Sequence, residues 1–294
     1  MSDTTASLRR KIDSAGELRS VVRTMKAMAA ASIGQYEQSV RALADYYRTV
    51  ELGLGACVRA SQPVSPEPGP HEWPEVGAVG AVVFGSDQGL VGRFNDVVAE
   101  RAGETLAALS GTPIVWAVGE RVHVHLTNAG LSLAGRFAVP TSVQAIASLV
   151  GDILVEAETD HGAGRVAELH LVYNRPVSGA VYAPVTQRLL PLDDAWRRTV
   201  AERPWPTKRV PEVMGRDTAT VRAFICEYLF VSLFRACAAS LASENASRLA
   251  AMERADKNIN ELLEDFHGRL HRVRQSGIDE ELFDVVAGFE VLTR

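Results

Sequence analysis

VGAVGAVVFGSDQGLVGRFN, residues 76–95, joins an apolar run to a loop with glycines at positions 85, 89 and 92. A short apolar run bounded by turn residues is typical of a buried strand, and residues 94–109 have the pattern of a helix. A strand, a glycine loop and a helix in this order favour a compact α/β unit. They also raise the hypothesis that the loop holds a phosphate at the helix N-terminus.

The glycine spacing argues against that hypothesis. The loop reads G-x-x-x-G-x-x-G, which matches neither the dinucleotide-binding G-x-G-x-x-G nor the P-loop G-x-x-x-x-G-K-[ST]. Its first basic residue is Arg93. A tight structural turn is therefore favoured, and a nucleotide-dependent α/β enzyme with helical arms stays open as the alternative.

Strand and helix patterns alternate beyond this segment. We predict strands in TPIVWAV (112–118), RVAELHLVYN (165–174) and around GAVYAPVTQRLLPL (179–192), and helices near 119–128 and 141–159. Such alternation is typical of a mostly parallel sheet, here with an antiparallel hairpin at its end. The Trp-, Pro- and charge-rich stretch 191–211 is predicted to be a loop or a short irregular segment.

Both ends of the chain predict long helices instead. Residues 5–59 and the chain from about 217 onward lack proline, and apolar residues recur there at intervals of three and four. The first stripe includes Leu18, Val22, Met25, Ala29, Ile33 and Tyr36, and the second Leu249, Met252, Ala255, Ile259, Leu262, Phe266, Leu270 and Val273. Two such stripes can bury each other as an antiparallel pair.

Composition excludes several classes of protein. The net charge of −5 gives no overall basic surface for nucleic acid. No run reaches the roughly 18 uninterrupted apolar residues of a membrane-spanning helix, and the N-terminus lacks a signal-peptide pattern, so a cytosolic location is expected. Cys57, Cys226 and Cys237 lie in helical patterns without C-x-x-C spacing, as expected of reduced core thiols.

Few residues suggest catalysis or ligand binding. His123 with His125, and His267 with His271, form pairs without a third ligand or the glutamate of H-E-x-x-H. We therefore expect no metal, no cofactor and no catalytic residue on this chain. A basic run on the first helix is either a solvated face or a surface for an acidic partner; it comprises Arg9, Arg10, Lys11, Arg19, Arg23 and Lys26.

Three separated motifs resemble the γ subunit of F-type ATP synthases. SLRRKIDSAGELRSVVRTMKAMAAAS (7–32) resembles the family's N-terminal signature, and SDQGLVGRFN (86–95) its S-D-x-G-L-C-G-x-x-N motif. ASENASRLAAMERADKN (242–258) and VRQSGIDEELFDVVAG (273–288) resemble its C-terminal helix. Together with QRLLPL (187–192), these motifs occur in the family's order along the chain.

The resemblance implies an α/β fold class: a long antiparallel coiled coil of N- and C-terminal helices plus a compact Rossmann-like α/β domain. We expect an N-terminal coiled-coil helix at 1–60, a proline-rich connector at 61–75, the α/β domain at 76–215 and a C-terminal coiled-coil helix at 216–294. The chain is then a non-catalytic subunit of an ion-transporting ATPase. Its rotation couples ion translocation to ATP synthesis or hydrolysis in the α3β3 hexamer.

The same resemblance implies partners and contact residues. The partners are the α and β subunits, the ε subunit and the c-ring. Membrane association arises only through the complex, at the cytoplasmic face of the bacterial inner membrane. By position, Met25 and Lys26 match residues near an acidic part of the β subunit, whereas Arg248, Gln275 and Glu281 match polar residues near the loops of the hexamer.

Three positions depart from the family pattern. Val91 stands where the loop usually has cysteine, Asp279 where threonine is usual, and Phe289 where a small residue is usual. These departures resemble a divergent branch, similar to the alternate F-type ATPases that are thought to move sodium ions in some bacteria.

Overall fold

The computed structural model describes residues 4–60, 78–109, 113–162, 166–177, 180–209, 211–212 and 218–292. The proline-rich connector predicted at 61–75 lies outside the described residues. The chain forms two compact units. Residues 1–30 and 248–294 belong to one, here called the helix pair, and residues 31–247 belong to the other, here called the α/β unit.

The described residues form six helices and five strands. The helices are α1 (Thr5–Ala60), α2 (Phe94–Ala107), α3 (Glu120–Asn128), α4 (Val143–Gly162), α5 (Asp194–Ala201) and α6 (Thr218–Leu292). The strands are β1 (Ala78–Phe84), β2 (Pro113–Val118), β3 (Leu133–Phe137), β4 (Val166–Val177) and β5 (Ala180–Leu190). The fold is therefore mixed α/β with long N- and C-terminal helices, as the sequence predicts.

The strands form one sheet in the order β3-β2-β1-β4-β5. β1 pairs in parallel with β2 and β4, and β2 pairs in parallel with β3. β4 and β5 pair antiparallel, so the hairpin predicted at the end of the sheet is confirmed. Because the parallel strands are covered on both faces, their sequences are nearly continuous apolar runs.

Alternate residues of the central strands enter different cores. Val83 and Val115 face a cluster with Val98 of α2 and Val122 of α3. Val82 and Trp116 face a larger cluster that includes α4 and the segments of α1 and α6 within the α/β unit. Two-residue periodicity in a strand produces this division, because successive side chains point to opposite faces of the sheet.

Two elements differ from the prediction. β3 was not predicted, because it is a five-residue edge strand with no fully buried side chain. α5 lies within the predicted loop 191–211. It begins there because the Asp193 side chain accepts a hydrogen bond from the Trp196 backbone N–H at 2.8 Å, which caps the helix.

The predicted stripe is partly wrong in the helix pair. Leu18 and Leu262 are 54% and 50% exposed, whereas Ala15 and Leu263 pack against the buried cluster of Val22, Met252 and Ile259. A spacing of three or four residues permits either neighbour to face the partner helix, and contact with that helix selects one.

The prediction for the cysteines also needs a correction. Cys57 and Cys237 are buried as expected, but Cys226 is exposed on α6. Burial raises the pKa of the Cys57 and Cys237 thiols, which keeps both protonated and unreactive.

Within the described residues, one helix segment, Ala219–Val286, is long and apolar enough by composition to cross a membrane. Its most apolar window is 56% buried inside the protein, and the core helix of a soluble protein gives the same signal.

Candidate functional site

The glycine loop that connects β1 to α2 is closed by a reciprocal pair of hydrogen bonds. The Ser86 backbone N–H donates to Asn95 Oδ1 at 3.0 Å, and Asn95 Nδ2 donates to Ser86 Oγ at 2.8 Å. Ser86 Oγ in turn donates to the Gln88 carbonyl oxygen at 2.8 Å. Ser86 is fully buried and Asn95 is 5% exposed, so these bonds satisfy groups that water does not reach.

Asp87 closes the carboxyl edge of the parallel sheet. Its Oδ1 accepts the backbone N–H of Glu120, the first residue of α3, and its Oδ2 accepts the backbone N–H of Val139, each at 2.9 Å. The carboxyl edge of a parallel sheet is where α/β proteins usually bind ligands. Here the Asp87 carboxylate occupies the N-terminus of α3 and accepts a hydrogen bond that a phosphate at that helix would otherwise accept.

Glycine is required at two points of this edge. A Cβ at Gly85 would lie 2.3 Å from Cβ of Val122, and Gly119 has φ of 117° with the Ser86 backbone 2.8 Å from a Cβ position. Gly85 of the motif and Gly119 before α3 therefore permit close contact between the loop and α3. The loop's geometry supports the predicted structural turn and does not favour the nucleotide-dependent enzyme.

A second set of buried polar residues holds the loop from the side of β4 and α6. Asn174 Nδ2 donates to the Phe94 carbonyl oxygen at 2.9 Å, and Ser243 Oγ donates to the Asn174 carbonyl oxygen at 3.2 Å. Ser247 Oγ donates to the carbonyl oxygen of Val91 at 2.5 Å. Sequence reasoning missed these residues, because Asn174 is about 80 positions from the loop and nothing local marks it.

Val91 is one of the three departures from the resemblance. Its side chain is 2% exposed, so valine fills the buried position that the resemblance assigns to cysteine. Asp279 is exposed on α6, and Phe289 lies where the structure describes no side chains.

Ion pairs join α1 and α6 in the helix pair. Asp256 Oδ1 lies 3.4 Å from Arg23 Nε and 3.7 Å from Arg19 Nε, and Glu253 Oε1 lies 3.6 Å from Lys26 Nζ. The Lys11 ammonium lies 5.8 Å from the centroid of the Phe266 ring. As the residue number increases along α1, the number of the contacting residue in α6 decreases, so these helices are antiparallel.

These contacts change the interpretation of the basic run on α1. Arg19, Arg23 and Lys26 already face carboxylates of the same chain, which neutralise part of the charge offered to a partner. Lys26 keeps 39% of its side chain exposed. Its ammonium is therefore accessible from outside the helix pair.

The five residues assigned to subunit contacts fall into two groups. Met25 packs against the buried cluster of the helix pair, and Lys26 is paired with Glu253, five residues from Arg248. Gln275 and Glu281 are exposed. They follow Glu253 by 22 and 28 residues, or about 33 and 42 Å of helix.

The C-terminal part of α6 presents apolar side chains to solvent. Their exposed fractions lie between 50% and 72%, for Ile278, Leu282, Phe283, Val285 and Val286. Ile278, Leu282 and Val285 are separated by four and three residues, so they share one helix face. This apolar end, defined by those five residues, lies within the quoted motif at 273–288, but its exposure was not predicted from the sequence.

The histidine pairs have ordinary surroundings. His125 Nδ1 lies 3.1 Å from Asp96 Oδ1, and both are partly exposed. His267 and His271 are exposed on α6. Within the described part of the chain, no group of three or more His, Cys, Asp or Glu side chains could hold a metal ion.

Solved structures share this fold. A rotor chain of the Euglena gracilis mitochondrial ATP synthase aligns with a TM-score of 0.63 at 14% identity, covering 93% of this chain and 98% of that one. A chain of the central stalk and c-ring of the Tetrahymena thermophila mitochondrial ATP synthase aligns with a TM-score of 0.54 at 18% identity, covering 80% and 99%. The fold is therefore that of a central-stalk protein.

Sequence comparison defines the family. The family model described as ATP synthase matches residues 4–292. The ATP synthase gamma chain of Parafrankia sp. is 29% identical over 97% of this chain and 96% of its own length, and that of Desulforamulus reducens is 29% identical over 97% and 98%. The chain belongs to the ATP synthase family as a gamma chain, and its function is that of a central-stalk rotor subunit.

Proposed function

We propose that the helix pair inserts into a hexamer of α and β subunits and that the α/β unit binds the ε subunit and the c-ring. Rotation of the chain then couples ion flow to ATP synthesis or hydrolysis in the hexamer. The single observation that carries this proposal is the apolar end of α6. Five large apolar side chains exposed together on one helix indicate a surface that a partner covers.

The apolar character of this end supports a protein partner. Burying a Leu, Ile, Val or Phe side chain contributes about 1.5–3 kcal/mol, so removal of the apolar end from water provides substantial binding energy. A rotating partner cannot rely on a fixed set of hydrogen bonds, whereas non-directional apolar contact remains favourable as the helix turns.

We also propose contacts with the hexamer for the five residues inferred by position. An acidic residue of a β subunit would compete with Glu253 for the ammonium of Lys26, which is partly exposed. Met25 contributes through the part of its side chain outside the buried cluster. Arg248, Gln275 and Glu281 are proposed to contact loops of the hexamer, and the exposure of Gln275 and Glu281 supports this role.

We also propose a location at the cytoplasmic face of the bacterial inner membrane, with attachment only through the complex. The bacterial origin of the gamma chains from Parafrankia and Desulforamulus supports this location.

A crosslink between the apolar end and a β subunit tests the rotor. Ile278→Cys is introduced into the complex together with Cys226→Ser, because Cys226 is exposed and would compete for the reagent. We expect an oxidative crosslink to a β-subunit cysteine to stop ATP turnover and reduction to restore it. Full turnover with the crosslink intact would contradict rotation and indicate a static tether.

A matched control places the cysteine on the α/β unit, at exposed Val124 of α3. Modification of this cysteine with a small thiol reagent should leave turnover unchanged. The purified complex should also contain one copy of this chain for three α and three β subunits. A stable complex without these subunits would contradict the proposal.

A further inference from the structure

A solvent-open cavity of about 550 Å³ lies in the α/β unit, between the β4–β5 hairpin and the adjoining segments of α1 and α6. Its polar lining comes from four elements. The residues that carry the argument are Arg41 of α1, Arg175 of β4, Gln187 of β5 and Arg235 of α6, with the rings of Tyr47 and Tyr173. The subunit contacts proposed above use none of these residues.

Arg235 is held with an unused donor. Its guanidinium carbon lies 4.4 Å from the centroid of the Tyr47 ring, which fixes the group by a cation–π contact. Its Nε is buried and has no hydrogen-bond partner. Because a buried donor without an acceptor costs free energy, this arrangement favours a ligand that brings an acceptor.

The neighbouring carboxylates are already engaged. Glu51 Oε2 lies 2.6 Å from Arg203 Nη1, and Glu37 Oε2 lies 3.8 Å from Arg41 Nη2. Among the described residues, neither Arg175 nor Arg235 has a carboxylate within 4.0 Å. Three arginines against one glutamate leave the lining with a formal charge of +2.

We propose that this cavity binds a phosphate-bearing anion. Guanidinium groups present planar N–H donors that match phosphate oxygens, and three of them converge here from three different elements. The Tyr47 hydroxyl stays protonated at neutral pH, because burial raises its pKa, so it adds no negative charge beside the arginines.

The volume and the apolar lining set the size of the ligand. Small-molecule sites commonly measure about 300–1,000 Å³, so the cavity exceeds what a single phosphate fills. Val40 and Ala239 line it beside the charged groups and leave room for an apolar body. Free pyrophosphate and the phosphate chain of a nucleotide present the same chemistry, and the test must separate these two sources.

Isothermal titration calorimetry on the full chain tests the proposal, with pyrophosphate and ATP as separate probes. We expect one saturable site, and Arg175→Gln and Arg235→Gln should each weaken binding about tenfold or more by removing one charge-assisted contact. The matched control is Arg222→Gln, which removes the same charge from an exposed position of α6 outside the cavity and should leave affinity unchanged. If ATP binds more tightly than pyrophosphate, the ligand is a nucleotide. If pyrophosphate binds equally or more tightly than ATP, the ligand is a free polyphosphate.

Two outcomes would overturn the proposal: no saturable heat with either probe at millimolar concentration, or equal weakening by all three substitutions. Circular dichroism verifies the fold of each variant. Arg175 is exposed, so its substitution remains informative if Arg235→Gln unfolds the chain. The test uses no other subunit, so its outcome is independent of the rotor function.

Discussion

Two hydrogen bonds join Ser86 and Asn95, and in each of them the side chain of one residue accepts a hydrogen bond from the other residue. This buried pair connects the end of β1 to the start of α2 and gives the glycine motif its closed shape. Asp87, beside it, accepts hydrogen bonds from the first residue of α3 and from Val139, two residues after β3. The motif that suggested a phosphate loop thus joins four elements of the sheet edge.

Asn95→Ala should lower the free energy of unfolding by about 2–3 kcal/mol, because it removes both bonds and leaves the Ser86 N–H buried without an acceptor. Urea denaturation followed by the fluorescence of buried Trp116 measures this change. Asn128→Ala, at an exposed position at the end of α3, is the control and should shift the midpoint little. Equal effects of the two substitutions would contradict the role assigned to the pair.

Gly119→Ala should destabilise the α/β unit by about 3 kcal/mol or more. The added Cβ would lie 2.8 Å from the Ser86 backbone, and the φ of 117° is strained for any residue with a Cβ. Gly103→Ala is the matched control, because it adds the same methyl group in open space within α2. Thermal unfolding should show the control unchanged or more stable, by up to about 1 kcal/mol.

Asp256→Asn should weaken the helix pair by about 1–2 kcal/mol, a value between those of exposed and buried ion pairs. The Asp256 side chain is 19% exposed and forms ion pairs with two arginines, so its neutralisation leaves Arg19 and Arg23 without this carboxylate. Glu261→Gln breaks the exposed pair with Lys257 at 3.9 Å and should have no measurable effect. Chemical denaturation at low and high salt compares the two, and an equally small change for both would contradict the stabilising role assigned to Asp256.

Asp193→Ala should remove about 1 kcal/mol from α5 at neutral pH by deleting its N-cap. The Trp196 backbone hydrogen bond, followed by Arg188, lowers the pKa of the Asp193 carboxyl. A lowered pKa stabilises the fold above the unfolded value near 4, and that stability is lost as pH falls through the folded pKa.

The difference in unfolding free energy between wild type and Asp193→Ala should therefore shrink on acidification below about pH 4. Asp194→Ala is the control, because the neighbouring carboxylate does not accept the capping bond. A difference that stays constant from neutral to acidic pH would contradict this assignment.

The sequence by itself determined the element types, the long terminal helices and the mostly parallel sheet, because these depend on apolar periodicity and on proline. The motifs also carried the family, since three of them in order are specific without any structure. Local patterns did not predict β3, which is short and half exposed, or α5, whose cap is a single aspartate.

Only the tertiary structure decided what the glycine motif and the helix faces do. The motif is a closed turn because Asn174 and Ser247, from distant parts of the chain, donate hydrogen bonds to its backbone. Asp87, within the motif, accepts a hydrogen bond from Val139, which is 52 positions away. Contact between the helices selected Leu263 in place of Leu262. The convergence of Arg41, Arg175 and Arg235 on one cavity likewise required the fold, because residues nearly 200 positions apart meet only when α1, β4 and α6 pack together.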